Sequence, residues 1–127
     1  MSVSSRHNRG MRLIYHIASR PEWEAALRAG EYTVSTLGLS LAEVGFVHAS
    51  TAGQVAGTAD AFYGGADDLV LLVIDEDKVA PQVRYESVPD RPERFPHIYG
   101  PLNTDAVVRA VPYAKGPDGR FPPPPEE

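Results

Sequence analysis

Residues 69–75 read LVLLVID. Six apolar side chains follow one another with no polar residue between them, so the period-two alternation of a half-exposed strand is missing. A short apolar run of this kind, rich in β-branched residues, fits a strand buried on both faces. Working outward, GFVHAS (45–50) reads as a strand upstream of it. Between the two, Thr51 and Gln54 have the spacing of a capping box. They open a helix through about Tyr63, and Gly64 and Gly65 end it. Nearer the N-terminus, RLIYHIA (12–18) is rich in β-formers. Ser19, Pro21 and Glu22 then mark a helix start: a capping serine, a proline in the first turn and a glutamate three residues after the cap. That helix runs to about Ala29 and stops at Gly30, with Trp23 and Leu27 four apart on one face. Downstream, VRYESV (83–88) and AVVRAVPY (106–113) are further strands. The order β-α-β-α followed mostly by β points to an α+β domain with two main helices.

The totals bound what this domain does. A chain of 127 residues with 43% hydrophobic content makes one globular domain. Its net charge of −5 argues against general nucleic-acid or anionic-membrane binding, which needs basic surface. With no cysteine there are no disulfides, thiolate metal sites or cysteine nucleophile. No apolar run reaches the length of a membrane span. MSVSSRHNRGMR lacks the apolar stretch of a secretory signal, so the expectation is a soluble cytoplasmic protein. Residues 1–10 are polar and read as a disordered N-terminal segment, residues 11–114 as the domain. Residues 115–127, KGPDGRFPPPPEE, read as a proline-rich disordered tail of extended conformation.

ERFPHIYGPL (93–102) stands apart. It reads neither as a helix nor as a clean strand, yet Phe95, His97 and Tyr99 recur at every second position. Pro96 and Pro101 stiffen it. Two readings stay open. His97 and Tyr99 form a rim over a cleft, or Phe95 and Tyr99 plug the core while His97 caps a carbonyl.

Alternation along strands places His16 on one face with Arg12, Ile14 and Ala18. Phe46, His48 and Ser50 share a face, and so do Arg84 and Glu86. Each set projects near a strand end. A histidine in an apolar strand is often a satisfied core residue, and Glu86 alone reads as a surface carboxylate paired with Arg84 or Arg109. For a metal site there is no HxH, HExxH or cysteine, and none is expected. No GxSxG elbow surrounds Ser50, and neither a Walker pattern nor GxGxxG is present. What remains is a pocket of imidazole and hydroxyl donors, one carboxylate and aromatic walls. Such a set holds a ribose and stacks a flat ring, with Glu86 orienting a nucleophile or stabilising positive charge that develops on a sugar.

The strings IYHIASRPEWEAALRAGEY, EVGFVHAST, DLVLLVID, VRYE and FPHIYGPL, in order from about residue 13 to residue 110, are similar to the uncharacterised bacterial family called domain of unknown function 952. That family resembles in fold the ADP-ribosyltransferase class, a small split β-sheet that cradles NAD. The resemblance implies one common cleft bordered by His16, His48, Ser50 and His97. It assigns His16 to a ribose hydroxyl, His48 and Ser50 to the nicotinamide side, and Glu86 to the late-strand carboxylate. Glu86 and His48 are then the catalytic candidates, and His16, Ser50, His97 and Tyr99 the ligand-binding ones. The expected ligand is NAD or a related nucleotide. A non-catalytic small-molecule module and a protein–protein adaptor using the PPPP run are the competing classes.

Overall fold

The computed structural model describes residues 12–36, 38–89 and 91–124. Strand β6 (Leu69–Asp75) is buried along its whole length. β1 (Leu13–Ser19) pairs with one edge of it and β10 (Val107–Tyr113) with the other, both antiparallel. Its side chains divide by parity between two cores. Val70, Leu72 and Ile74 enter the first, and Leu69, Leu71 and Val73 the second. Full burial of Leu71 and of Leu72 contributes about 1.5–3 kcal/mol each. The missing alternation of LVLLVID is thus the signature of a strand with a hydrophobic layer on either side.

Helix α1 (Arg20–Ala29) covers the first core. The Ser19 hydroxyl oxygen accepts from the Glu22 N–H at 3.3 Å. Gly30 ends the helix at φ 87°, a conformation that favours glycine, and donates its N–H to the Ala26 carbonyl. Both ends match the sequence reading, but the buried face does not. Trp23 and Ala26 are buried, while Leu27 is 54% exposed, because the face against the sheet follows the three-residue step from Trp23 rather than the four-residue one.

The second layer is a three-stranded antiparallel sheet in the order β5 (Val47–His48), β8 (Arg94–Ile98), β7 (Val83–Ser87). Val47 and Ile98 face the first core. Residues 93–102, expected to be irregular, therefore supply the central strand of this sheet. The proline is accommodated by position. In an antiparallel pair the N–H and C=O of one residue point to the same neighbour. The Pro96 carbonyl accepts from the Ala49 N–H at 3.0 Å, and proline has no N–H to return. The β5 ladder accordingly stops at His48, shorter than the six-residue strand read from the sequence. The chain crosses instead to β1, where Tyr15 and Ser50 exchange two backbone hydrogen bonds of 2.8 Å. Two small antiparallel ladders complete the architecture: β2 (Glu31–Tyr32) with β9 (Leu102–Asn103), and β3 (Val34–Thr36) with β4 (Leu39–Ser40). The result is a mixed α+β fold with more strand than helix.

Helix α2 (Leu41–Val44) carries a full capping box between Ser40 and Glu43, a signal the sequence reading passed over. Helix α3 (Val55–Phe62) begins one residue after Gln54 and not at Thr51. Only half of the expected box forms there, with Gln54 Oε1 accepting from the Thr51 N–H at 2.9 Å. Gly100 explains the YGP string. A Cβ at this position would lie 2.9 Å from the Pro81 Cβ. Among the described residues no helix is long and apolar enough to cross a membrane.

The proposed N-terminal segment, residues 1–10, lies outside the described residues. The C-terminal one is described as far as Pro124 and requires a correction. Phe121 is buried in the second core against Tyr113, with ring centroids 5.1 Å apart. The Phe121 N–H donates to Asp60 Oδ1 at 2.9 Å and the Tyr113 hydroxyl to the Pro122 carbonyl at 2.7 Å. The high proline and glycine content of 115–127 concealed one anchoring aromatic, and one aromatic suffices when the sheet leaves a slot for it. Phe121→Ala should therefore lower unfolding stability by about 3–5 kcal/mol, the usual range for a buried phenylalanine, as read by urea denaturation. A detached tail would leave the midpoint unchanged.

Candidate functional site

Register decides which side chains meet. Directly opposed residues of an antiparallel pair share a face. His48 stands opposite His97, Arg84 opposite His97, and Glu86 opposite Phe95. One face of the second sheet therefore collects His48, Phe95, His97, Arg84 and Glu86, and the other face packs on the core. Tyr99 joins them at the end of β8, its hydroxyl donating to Glu86 Oε1 at 2.5 Å. His97 Nδ1 lies 2.8 Å from the same oxygen. A carboxylate accepts, so Nδ1 carries the proton. Both hydrogen bonds fall on Oε1. The bond from Tyr99, then that from His97, hold the Glu86 carboxyl below the usual carboxylate range, and the Tyr99 hydroxyl is raised by the same contact.

Aromatic rings pack round this centre. Phe46 stacks on His97 with centroids 3.9 Å apart and planes 15° from parallel. The Arg84 guanidinium sits over the Tyr99 ring at 5.3 Å, a cation–π contact. His48 adjoins from behind, its ring centroid 5.3 Å from His97 and 5.2 Å from Phe95. Burial, then the neighbouring His16, His97 and Arg91, push the His48 pKa down to about 4, so it is neutral at physiological pH. In front lies an open cleft of about 560 Å³. Phe46, Glu86, Arg94 and His97 line it, together with the turn Ser87–Pro89.

The expected residues are thus only partly brought together. Glu86, His97 and Tyr99 form one hydrogen-bonded set, with His48 against it. The rim and plug readings each hold for part of the segment: Phe95 and His97 are buried, while Tyr99 is 38% exposed. His16 does not border the cleft. It projects from β1 into the first layer of packing, 2% exposed. Its Nδ1 donates to the His48 carbonyl at 2.6 Å, and its Nε2 accepts from the Tyr32 hydroxyl at 3.0 Å. Ser50 is also buried, its hydroxyl 3.4 Å from that of Thr58 on α3. The common cleft of four residues fails for these two because β5 ends at His48, and Ser50 already belongs to the seam with β1. Phe46 was missed as a site residue, although it shares the His48 face two positions earlier. Nor was Arg94 singled out. Among the described residues no three histidine or acidic side chains come together as a metal site.

A family model described as "Protein of unknown function (DUF952)" matches residues 17–110. The chain belongs to this family. It is also similar to protein CC0527 from Caulobacter crescentus, at 33% identity. The crystal structure of CC0527 aligns with a TM-score of 0.75, over 87% of this chain and 93% of that one. Its solution NMR structure aligns with a TM-score of 0.70, over 85% and 90%. No curated protein matches the chain. The DUF952 match runs from the end of β1 into β10, and so takes in most of both sheets and all the residues around the cleft.

His16 gives this DUF952 chain a pH-dependent stability. Burial lowers its pKa from 6.5 to about 4, partly offset by the His48 carbonyl. Between those values the unfolded chain binds more protons than the folded one. Stability is therefore full above pH 6.5 and falls as pH drops towards 4, by on the order of 3 kcal/mol from this residue. His48 acts in the same direction. The melting temperature should fall more steeply between pH 7 and 4.5 in the wild type than in His16→Gln, whose amide has a donor and an acceptor but no titrating group. Parallel slopes would show that His16 is not buried neutral.

Proposed function

We propose that the cleft in front of Glu86 binds NAD or a related nucleotide, and that Glu86 acts on its ribosyl group as in the ADP-ribosyltransferase class. The observation that carries this reading is Glu86 itself. Two donors on Oε1 hold the carboxyl below its usual range at the wall of an open cleft, and Oε2 has no hydrogen bond among the described residues. A fixed anion of this kind stabilises positive charge developing at an anomeric carbon when an N-glycosidic bond opens.

The remaining residues fit the parts of a nucleotide. The exposed ring of Tyr99 and the half-buried ring of Phe46 offer flat surfaces for a base or nicotinamide. Arg94 lines the cleft and carries no ion pair among the described residues, which leaves its guanidinium for a phosphate. The antiparallel sheets joined at one seam are in keeping with a split-sheet domain. His16 and Ser50 take no part in this version of the site. Their polar atoms are occupied within the fold, and the ribose contact passes to Glu86.

Thermal shift with NAD, ADP-ribose and nicotinamide tests the binding step. A ligand at about a hundred times its dissociation constant stabilises the folded state by roughly 2.7 kcal/mol, a rise of several degrees for a domain of this size. Glu86→Gln should keep most of that shift while reducing release of nicotinamide from NAD by a factor of about 100 or more. A flat melting curve with all three compounds at millimolar concentration would rule the nucleotide reading out.

A further inference from the structure

His97 holds an atom that the nucleotide reading leaves unused. With Nδ1–H donated to Glu86, the lone pair of the neutral tautomer is on Nε2. That nitrogen is buried and has no hydrogen-bond partner. Native structures seldom leave such an atom unpaired, and an unpaired one marks an ordered water or a catalytic role. The ring is 2% exposed and lines the cleft, with Phe46 stacked flat across it at 3.9 Å. Its neighbour His48 is a second imidazole, 5.3 Å away between centroids. The ring that carries the orphaned nitrogen thus packs against Phe46 and His48 and is bonded to Glu86 through Nδ1.

We propose that His97 Nε2 binds the nucleophile of the reaction and that this nucleophile is water, so that the site hydrolyses an N-ribosyl bond rather than transferring the ribosyl group to a macromolecule. The proposal rests on the nucleotide reading above. Phe46 lies across the face of the ring and Nε2 is shut off from solvent, so a single water reaches this nitrogen with less displacement of its surroundings than a protein side chain or a nucleic acid needs. In the step itself the water oxygen forms a bond to the anomeric carbon and gives its proton to Nε2. The bond from that carbon to the base nitrogen breaks, and its electron pair leaves with the base. The Glu86 carboxylate faces the transient positive charge and, through Oε1, the imidazolium. With NAD the products are ADP-ribose, nicotinamide and one proton, which His97 returns to solvent.

The test uses the full chain with NAD, following nicotinamide and the fate of ADP-ribose by liquid chromatography with mass spectrometry. Free ADP-ribose should match nicotinamide mole for mole, even with agmatine or a protein mixture added as competing acceptors. His97→Gln, checked for folding by circular dichroism, should lower kcat at least a hundredfold while the NAD dissociation constant stays within about twofold. Should that variant not fold, Phe46→Ala serves. With the covering ring removed, added methanol should capture a larger share of the product as methyl ADP-riboside than it does in the wild type. ADP-ribose appearing mainly on an added acceptor would overturn the hydrolytic proposal and leave the nucleotide reading standing. So would NAD binding without nicotinamide release. Failure to bind NAD would remove both.

Discussion

The two sheets meet through the backbone of Tyr15 and Ser50. Two reciprocal hydrogen bonds of 2.8 Å join them there, and the His16 imidazole adds a third link one pair of residues away, to the His48 carbonyl. This seam fixes the height and tilt of β5 against β1, and β5 carries His48, with Phe46 just before it. Its strength comes from dryness. His16 and Ser50 are each 2% exposed, so water does not compete for the bonds, and loss of one partner would leave a buried polar group unsatisfied. His16 has to be neutral for this, donating from Nδ1 and accepting at Nε2. Tyr32 supplies the hydroxyl that selects that tautomer. A residue that reads as a ribose contact in the sequence thus has both ring nitrogens taken up within the fold, one of them by the backbone of His48 beside the site.

Pro96 determines how the seam is reached. A residue with an N–H at this position would extend the β5–β8 ladder by a full pair at Ala49 and carry the strand straight on. Proline permits one bond of that pair and withholds the other. Ser50 then lies beside β1 instead of β8, and the sheet divides. The same substitution of geometry for hydrogen bonding recurs at Pro112, on β10 at the edge of the first sheet, where a missing N–H is tolerated. In β8 the proline is central, which is why FPHIYG did not read as a strand. The aromatic and histidine residues at every second position carried the true period, and the proline outweighed them.

That contrast shows what sequence makes legible here. β1, α1, β6, β7 and β10 were visible because each announces itself locally, by caps, by alternation or by an unbroken apolar run. β2, β3, β4 and β9 were not. They run to two or three residues, and tertiary pairing alone creates them. The site divides along the same line. Glu86, His97 and Tyr99 could be named from residue type, but their convergence on one carboxylate oxygen depends on the β7–β8 register, which no local signal encodes. His16 and Ser50 were expected at the cleft and lie buried away from it, because alternation gives the face of a strand and says nothing of what covers it. Phe121 was missed because composition is averaged over a segment, whereas burial is decided one side chain at a time.

The electrostatics of the site follow from which partners Glu86 lacks. Arg84 shares its face and lies close enough to affect it, yet the guanidinium rests on the Tyr99 ring, and its contribution to the Glu86 shift comes after those of Tyr99 and His97. A direct arginine–carboxylate pair would neutralise the anion and occupy both oxygens. Tyr99 and His97 both donate to the one oxygen, Oε1, and leave Oε2 without a hydrogen bond. The carboxylate stays anionic, fixed in direction and half uncommitted. Surface pairs elsewhere, such as Arg20 with Asp68 at 2.8 Å, show the other outcome, in which two exposed charges satisfy each other and add little to stability. Where this chain has an arginine within reach of a carboxylate and turns it aside onto an aromatic ring, the carboxylate is left able to meet a positive charge that comes from outside the protein.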